Sequence, residues 1–202
     1  MSTSGIYGFR KNGKDKIARN NYDSYPKGLG AAVVEFCKQT SIEEMHEIFD
    51  RIELIDEDLD WIGEPTKNNE INLSKQNPLD IFKTESPFMI DSKGFIENSL
   101  FCEFGYIINL DTGKLECWLG YQREPDTSNR YGVKPFNALG TGIYYPCRKV
   151  LEVKLGDIQN GLAGQTFNCC QADVDFIGSA EIIEREKIKK LRNSKTELML
   201  DE

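Results

Sequence analysis

The chain is almost without histidine. A single one, His46, occurs among 202 residues, so any Ser-His-Asp or Cys-His arrangement would have to use it. It lies between Glu43 and Asp50 on an acidic stretch, and such neighbours favour the charged ring, the wrong state for a general base. A histidine-based zinc site is excluded by the same scarcity. The six cysteines (Cys37, Cys102, Cys117, Cys147, Cys169 and Cys170) follow no C-x-x-C spacing, so a cysteine-only metal site lacks its pattern. They read as reduced thiols, mostly small core residues of a cytoplasmic protein. A redox pair at Cys169-Cys170 is disfavoured by the strain of a vicinal disulfide. No apolar run approaches the length of a membrane span. The first one is short and broken by charge, so no secretory leader is expected. Positive charge is also in short supply: 25 Lys and Arg against 33 Asp and Glu, a net −8. General nucleic-acid binding, which needs clustered cations, is therefore not expected. No catalytic residue, metal or cofactor is assigned.

What is present is enough for one domain spanning 1–202 with a real hydrophobic core. Charge is distributed unevenly. Residues 1–40 carry seven Lys/Arg against three Asp/Glu, and residues 41–101 carry five against fifteen. A basic head followed by an acidic middle suits either two complementary surfaces or one surface built for a cationic partner.

"GIYGFRKNGKDKIARN" predicts a β-hairpin, because Asn12-Gly13 supplies the positive φ of a two-residue turn. Lys11 then faces Lys14, Arg10 faces Asp15, and Gly8 faces Ile17. Ile6, Gly8 and Ile17 share one face while Tyr7, Phe9 and Ala18 share the other, which predicts a central hairpin covered on both sides. Ala31 to Lys38 reads as a helix. Ser41 caps a second, with Glu44 completing a capping box and Ile42, Met45, Phe49 and Ile52 as its buried stripe. Residues 56–99 are weakly patterned and rich in proline and asparagine. They read as an irregular insertion over the core, with short elements around Leu79–Phe82. Strands near 100–109 and 114–121 flank a three-residue Asp111-Thr112-Gly113 loop. Another strand follows at 148–155, and a capped helix from Ser179 to about Asn193. The expected class is α+β: a largely antiparallel sheet with an N-terminal hairpin, packed helices and an irregular acidic middle segment.

Three places are candidates for binding. "NNYDSYPKGLG" joins the hairpin to the first helix. Gly28 and Gly30 at a helix start can leave N–H groups pointing outward for an anion, with Lys27 adding a charge. The same glycines serve close packing of helix on hairpin, which is the preferred reading, since short glycine motifs discriminate poorly. Asp23 and Tyr25 would line such a pocket beside Arg10 or Arg19, or else belong to the turn alone. The second place is the acidic run from Glu43 to Glu64, with Glu43, Glu44, Glu47, Asp56, Glu57, Asp58, Asp60 and Trp61 as candidate partner contacts. The third is "YQREPDTSNRYGVKPF", which interleaves Arg123 and Arg130 with Tyr131 in a long loop. Arginine and aromatic residues are frequent at binding hot spots.

The turn residues Asn20, Asp23, Ser24, Tyr25, Pro26, Gly28, Leu29 and Gly30, with Cys102, Glu103, Tyr106, Ile108, Leu110 and Asp111 of a later strand, resemble the motifs of a group of small proteins from bacteriophages, prophages and bacteria. Asn21 stands where that group has histidine. The resemblance implies a phage-type accessory protein working in a bacterial cytoplasm and carries no activity with it. The expected function is binding and modulation of a host component. Its concrete form is inhibition of a bacterial defence system, by occluding a host protein or by sequestering a small nucleotide ligand. The alternative is an N-terminal-nucleophile hydrolase or amidotransferase-like enzyme. "SGIYGF" places Ser4 before Gly-Ile, but that chemistry needs a trimmed chain start so that an α-amine can act as the base.

Overall fold

Asn12 and Gly13 both have positive φ, 53° and 72°, as a hairpin turn of this length requires. They join β1 (Gly5–Lys11) to β2 (Lys14–Asn20) in the expected register, with Arg10 opposite Asp15 and Gly8 opposite Ile17. The computed structural model describes residues 3–55, 78–138 and 142–162. Over these residues the fold is α+β, around one five-stranded sheet of order β2-β1-β5-β6-β9. Here β5 is Phe104–Asn109, β6 is Lys114–Leu119 and β9 is Arg148–Lys154. Every pairing is antiparallel except β1 with β5. The hairpin is thus covered on both faces as expected, but it is not wholly central. β1 is interior, while β2 is an edge strand of this sheet.

One face of the sheet carries Tyr7, Phe9, Ala18, Tyr106, Ile108, Leu115, Cys117 and Val153 into the larger core. Two helices cover it, α1 (Ala31–Gln39) and α2 (Ile42–Arg51), together with a 3-10 segment (Pro78–Lys83) and a short helix, α4 (Leu155–Gln159). The opposite face carries Ile6, Ile17, Ile107 and Trp118 into a smaller core. Ile96 of the one-turn helix α3 (Lys93–Ile96), Cys102, Tyr131 and Cys147 complete it. The period-two alternation of side chains explains why β1 serves both cores. The four cysteines among the described residues are all buried and unbridged. Burial pushes the Cys37 thiol up to about 12, leaving it a packing residue with little thiolate.

Ser41 caps α2 as the sequence predicts, its Oγ accepting the Glu44 N–H at 3.1 Å. Removing that acceptor in Ser41→Ala should cost about 1 kcal/mol, read as a lower urea midpoint with unchanged slope. At the other end of α2 the hairpin supplies the cap. Lys16 Nζ donates to the carbonyls of Phe49 (2.8 Å) and Ile52 (2.7 Å) and lies 4.5 Å from the centre of the Phe49 ring. Met45, Phe49 and Ile52 are buried as predicted. Ile48 joins them, whereas Ile42 is only partly covered.

Three expectations need correction. The strand foreseen from residue 100 starts at Phe104, because residues 98–102 turn back on themselves, Cys102 N–H bonding to the Asn98 carbonyl at 3.0 Å. The β5–β6 loop has four residues rather than three. Asn109 pairs with Lys114, and the Asn109 side-chain oxygen accepts the N–H groups of Asp111 and Thr112 (3.1 and 3.2 Å). The third concerns the middle segment, where the short element expected around Leu79–Phe82 is present as the 3-10 segment but is joined by further elements. Its described part contains the 3-10 segment, strand β4 (Phe88–Ile90), paired in parallel with β3 (Glu53–Ile55), and α3. Phe82 enters the centre of the larger core, touching the rings of Tyr7, Phe9 and Phe36. A small antiparallel pair, β7 (Phe136–Ala138) with β8 (Gly142–Tyr144), completes the strands. The helix expected at 179–193 and the Cys169-Cys170 pair lie outside the described residues.

Candidate functional surfaces

The glycine turn is built by its own backbone. Pro26–Gly30 forms one wide helical turn leading into α1. The N–H groups of Gly28 and Gly30 donate to the Tyr25 carbonyl (2.9 and 3.4 Å), and that of Leu29 donates to the Asp23 carbonyl (2.8 Å). Amides engaged in this way do not face outward as an anion cradle would need. Both glycines are required by proximity. A Cβ on Gly28 would come within 2.2 Å of the Asp23 carbonyl oxygen, and one on Gly30 within 2.9 Å of the Tyr106 ring. Asp23 adopts φ 50°, Tyr25 and Lys27 are exposed, and Ser24 is buried, bonded to Asn20.

The arginines proposed to complete this pocket are elsewhere. Ser24 N–H bonds to the Thr3 carbonyl, which puts the turn beside the start of β1. Arg10 is five residues further along that strand, roughly 17 Å away at strand rise. There it pairs with Asp15 at 3.0 Å and approaches Asp111 at 3.9 Å. Asp111 in turn accepts the N–H groups of Asn12 and Gly13. The Gly13 N–H foremost holds its carboxyl below the usual range. Arg19 instead lies over the Phe95 ring at 4.3 Å.

Arg130 and Tyr131 do not form an outward binding loop. Arg130 donates to Glu116 at 2.7–2.9 Å and lies 3.7 Å from Asp15, with its guanidinium packed against both the Trp118 and Tyr131 rings, which themselves meet edge to face. Glu116, 1% exposed, also accepts from Asn109 Nδ2 (2.8 Å) and Trp118 Nε1 (3.1 Å). Arg10, Asp15, Asn109 and Glu116 share one sheet face, with Arg130 folded over them. A buried carboxylate with three donors is a satisfied structural centre. Its signal in the sequence was a lone Glu inside the apolar strand "LECWL", and only the fold reveals its partners. Arg123 remains near the surface, with its guanidinium 3.8 Å from the Tyr144 ring centre. Ser4 lies in the backbone pairing that leads into β1, its carbonyl accepting the Glu103 N–H.

Two neighbouring elements, α2 and the β3–β4 pair, each present a face to solvent. On α2, Glu43, Glu44 and Glu47 lie opposite the buried Met45, Ile48 and Phe49 and form no ion pair among the described residues. Through Ile52 alone, α2 runs into β3. The outer face of the β3–β4 pair carries Glu53 and Ile55 beside Phe88 and Ile90, the last two 40% and 38% exposed. Asp56, Glu57, Asp58, Asp60 and Trp61 lie outside the described residues. No described helix is long and apolar enough to cross a membrane. Comparison with protein-family models, curated proteins and solved structures found no match for this chain.

Proposed function

We propose that this protein is a non-enzymatic accessory protein of the phage or prophage type that binds a basic host protein and occludes it. A component of a bacterial defence system is the most concrete target. The observation that carries this reading is the exposed apolar strip of Phe88 and Ile90 next to Glu53, continuous along the chain with Glu43, Glu44 and Glu47 of α2, which form no ion pair among the described residues. Large apolar side chains anchor an interface once desolvated. Carboxylates around them steer and select a cationic partner. Occlusion is favoured over nucleotide sequestration at the Lys27–Gly30 turn because that turn's amides already have acceptors.

Native mass spectra of the protein captured from bacterial host lysate test the reading. A basic protein companion is expected with the unaltered chain. It should be lost in a Glu43→Lys, Glu44→Lys, Glu47→Lys triple variant and in a Phe88→Ser, Ile90→Ser double variant, both checked for an unchanged fold by circular dichroism. Capture should weaken as salt rises, because charges exposed to solvent are screened over about 10 Å at 0.1 M. A companion that survives both sets of substitutions would defeat the proposal.

A further inference from the structure

A cleft of about 600 Å³ opens where β6 ends and β9 begins, lined by residues 121–127 and Arg148. Its wall is fixed from behind. Tyr121 adopts φ 56°, a conformation that a bulky residue keeps only where its surroundings impose it. Ser99 imposes it here: its carbonyl accepts the Tyr121 N–H at 2.7 Å and its hydroxyl accepts the Gln122 N–H at 3.0 Å. The Gln122 side-chain amide donates back to the carbonyls of Leu119 and Gly120. A Cβ on Gly120 would lie 2.0 Å from the Cys102 carbonyl oxygen, so the backbone passes there without slack.

The lining is chemically mixed in a specific way. The Arg123 guanidinium packs on the Tyr144 ring and its Nη1 donates to the Ile143 carbonyl at 3.5 Å, while a Cβ on Gly142 would come within 2.6 Å of that Nη1. Arg148 is exposed and makes no ion pair among the described residues. Asp126 Oδ1 accepts the Ser128 hydroxyl and N–H (2.6 and 2.9 Å), which, with Arg148 nearby, holds that carboxyl below its usual range. Asp126 Oδ2 makes no hydrogen bond among the described residues, and Glu124 and Thr127 also line the cleft.

Guanidinium groups recognise phosphate oxygens in pairs, and carboxylates accept the hydroxyl protons of a polyol. Both kinds of group on one wall, in a cleft of small-molecule size, match a ligand with a phosphate at one end and hydroxyls at the other. We propose that this cleft binds a sugar phosphate, either free or as the ribose phosphate of a nucleotide. The site is separate from the acidic and apolar face of α2 and β3–β4, and it stands whether or not that face binds a protein.

Calorimetric titration of the full chain with ribose 5-phosphate, AMP, ribose and inorganic phosphate tests this. Saturable binding of a phosphate ester is expected, weakened about tenfold in Arg148→Gln by loss of a charged hydrogen bond and less in Arg148→Lys. Arg148 is exposed at the start of an edge strand, so an unchanged melting temperature should accompany the loss. Binding of AMP alone identifies a nucleotide site, and binding of ribose 5-phosphate a sugar-phosphate site; either supports the proposal. It is overturned if neither ester binds, if inorganic phosphate binds as tightly as the esters, or if Arg148→Gln leaves the affinity unchanged.

Discussion

Replacing Glu116 with alanine is expected to destabilise the protein by about 3–5 kcal/mol, the cost of leaving one member of a buried ion pair without its partner. Three donors lose their acceptor at once: Arg130, Asn109 Nδ2 and Trp118 Nε1. The Arg130 guanidinium is only partly released by this, because it stays packed against the Trp118 and Tyr131 rings with Asp15 3.7 Å away as its remaining counter-ion. Urea denaturation checks the magnitude. A double variant, Glu116→Leu with Arg130→Met, separates the pair's net worth from the penalty of breaking it. It should recover only the part due to the uncompensated Arg130 charge, since apolar replacement of both partners of a buried ion pair is often neutral or better, while Asn109 Nδ2 and Trp118 Nε1 still lack an acceptor. If Glu116→Ala costs under about 1 kcal/mol, solvent reaches this site and the network does not act as a buried centre.

Phe82→Ala is the second large effect, again about 3–5 kcal/mol, the usual range for deleting a fully buried aromatic ring. Phe82 is 1% exposed and meets three other rings, the closest being Phe9 with centroids 4.9 Å apart. Its loss opens a cavity bordered by Tyr7, Phe9 and Phe36, on one strand and a helix that cannot readily collapse inward. Such a loss is a large fraction of the 5–15 kcal/mol that typically holds a domain together. Phe101→Ala is the control: at 53% exposure it should change the urea midpoint little. A small effect at Phe82 would mean that the 3-10 segment lies on the core as a loose cover and does not complete it.

The two variants also separate what was readable in the sequence from what was not. The Asn12-Gly13 turn, the Arg10–Asp15 pairing, the Ser41 cap and the buried stripe of α2 were legible because each depends on residues a few positions apart. The α+β class followed from the same local patterns. Phe82 was not legible as a core residue. It lies in a proline-rich segment without periodicity, and its ring partners come from residues 7, 9 and 36. The Glu116 centre was hidden for the same reason, since Arg130 is fourteen residues beyond it with a long loop between. Arg130 and Tyr131 suggest an outward surface in the sequence, because alternating arginine and aromatic residues look alike whether they face a partner or fold back on their own sheet. The glycine turn shows the converse. Its composition suits an anion site, and only the direction of three backbone N–H groups separates that from a packed corner.

By itself, then, the sequence determined the local elements, the hairpin register and the two-faced character of β1. These follow from turn chemistry, capping and side-chain period, which act over a few residues of chain. Tertiary structure alone decided that β1 and β5 run parallel, that the middle segment contributes Phe82 to the core, and that Arg130 turns inward. It also brought Arg148 to the same cleft as Arg123. Each of these depends on contacts between residues far apart in the chain, where the free energy of burying a ring or pairing a charge is set by neighbours that no local pattern names.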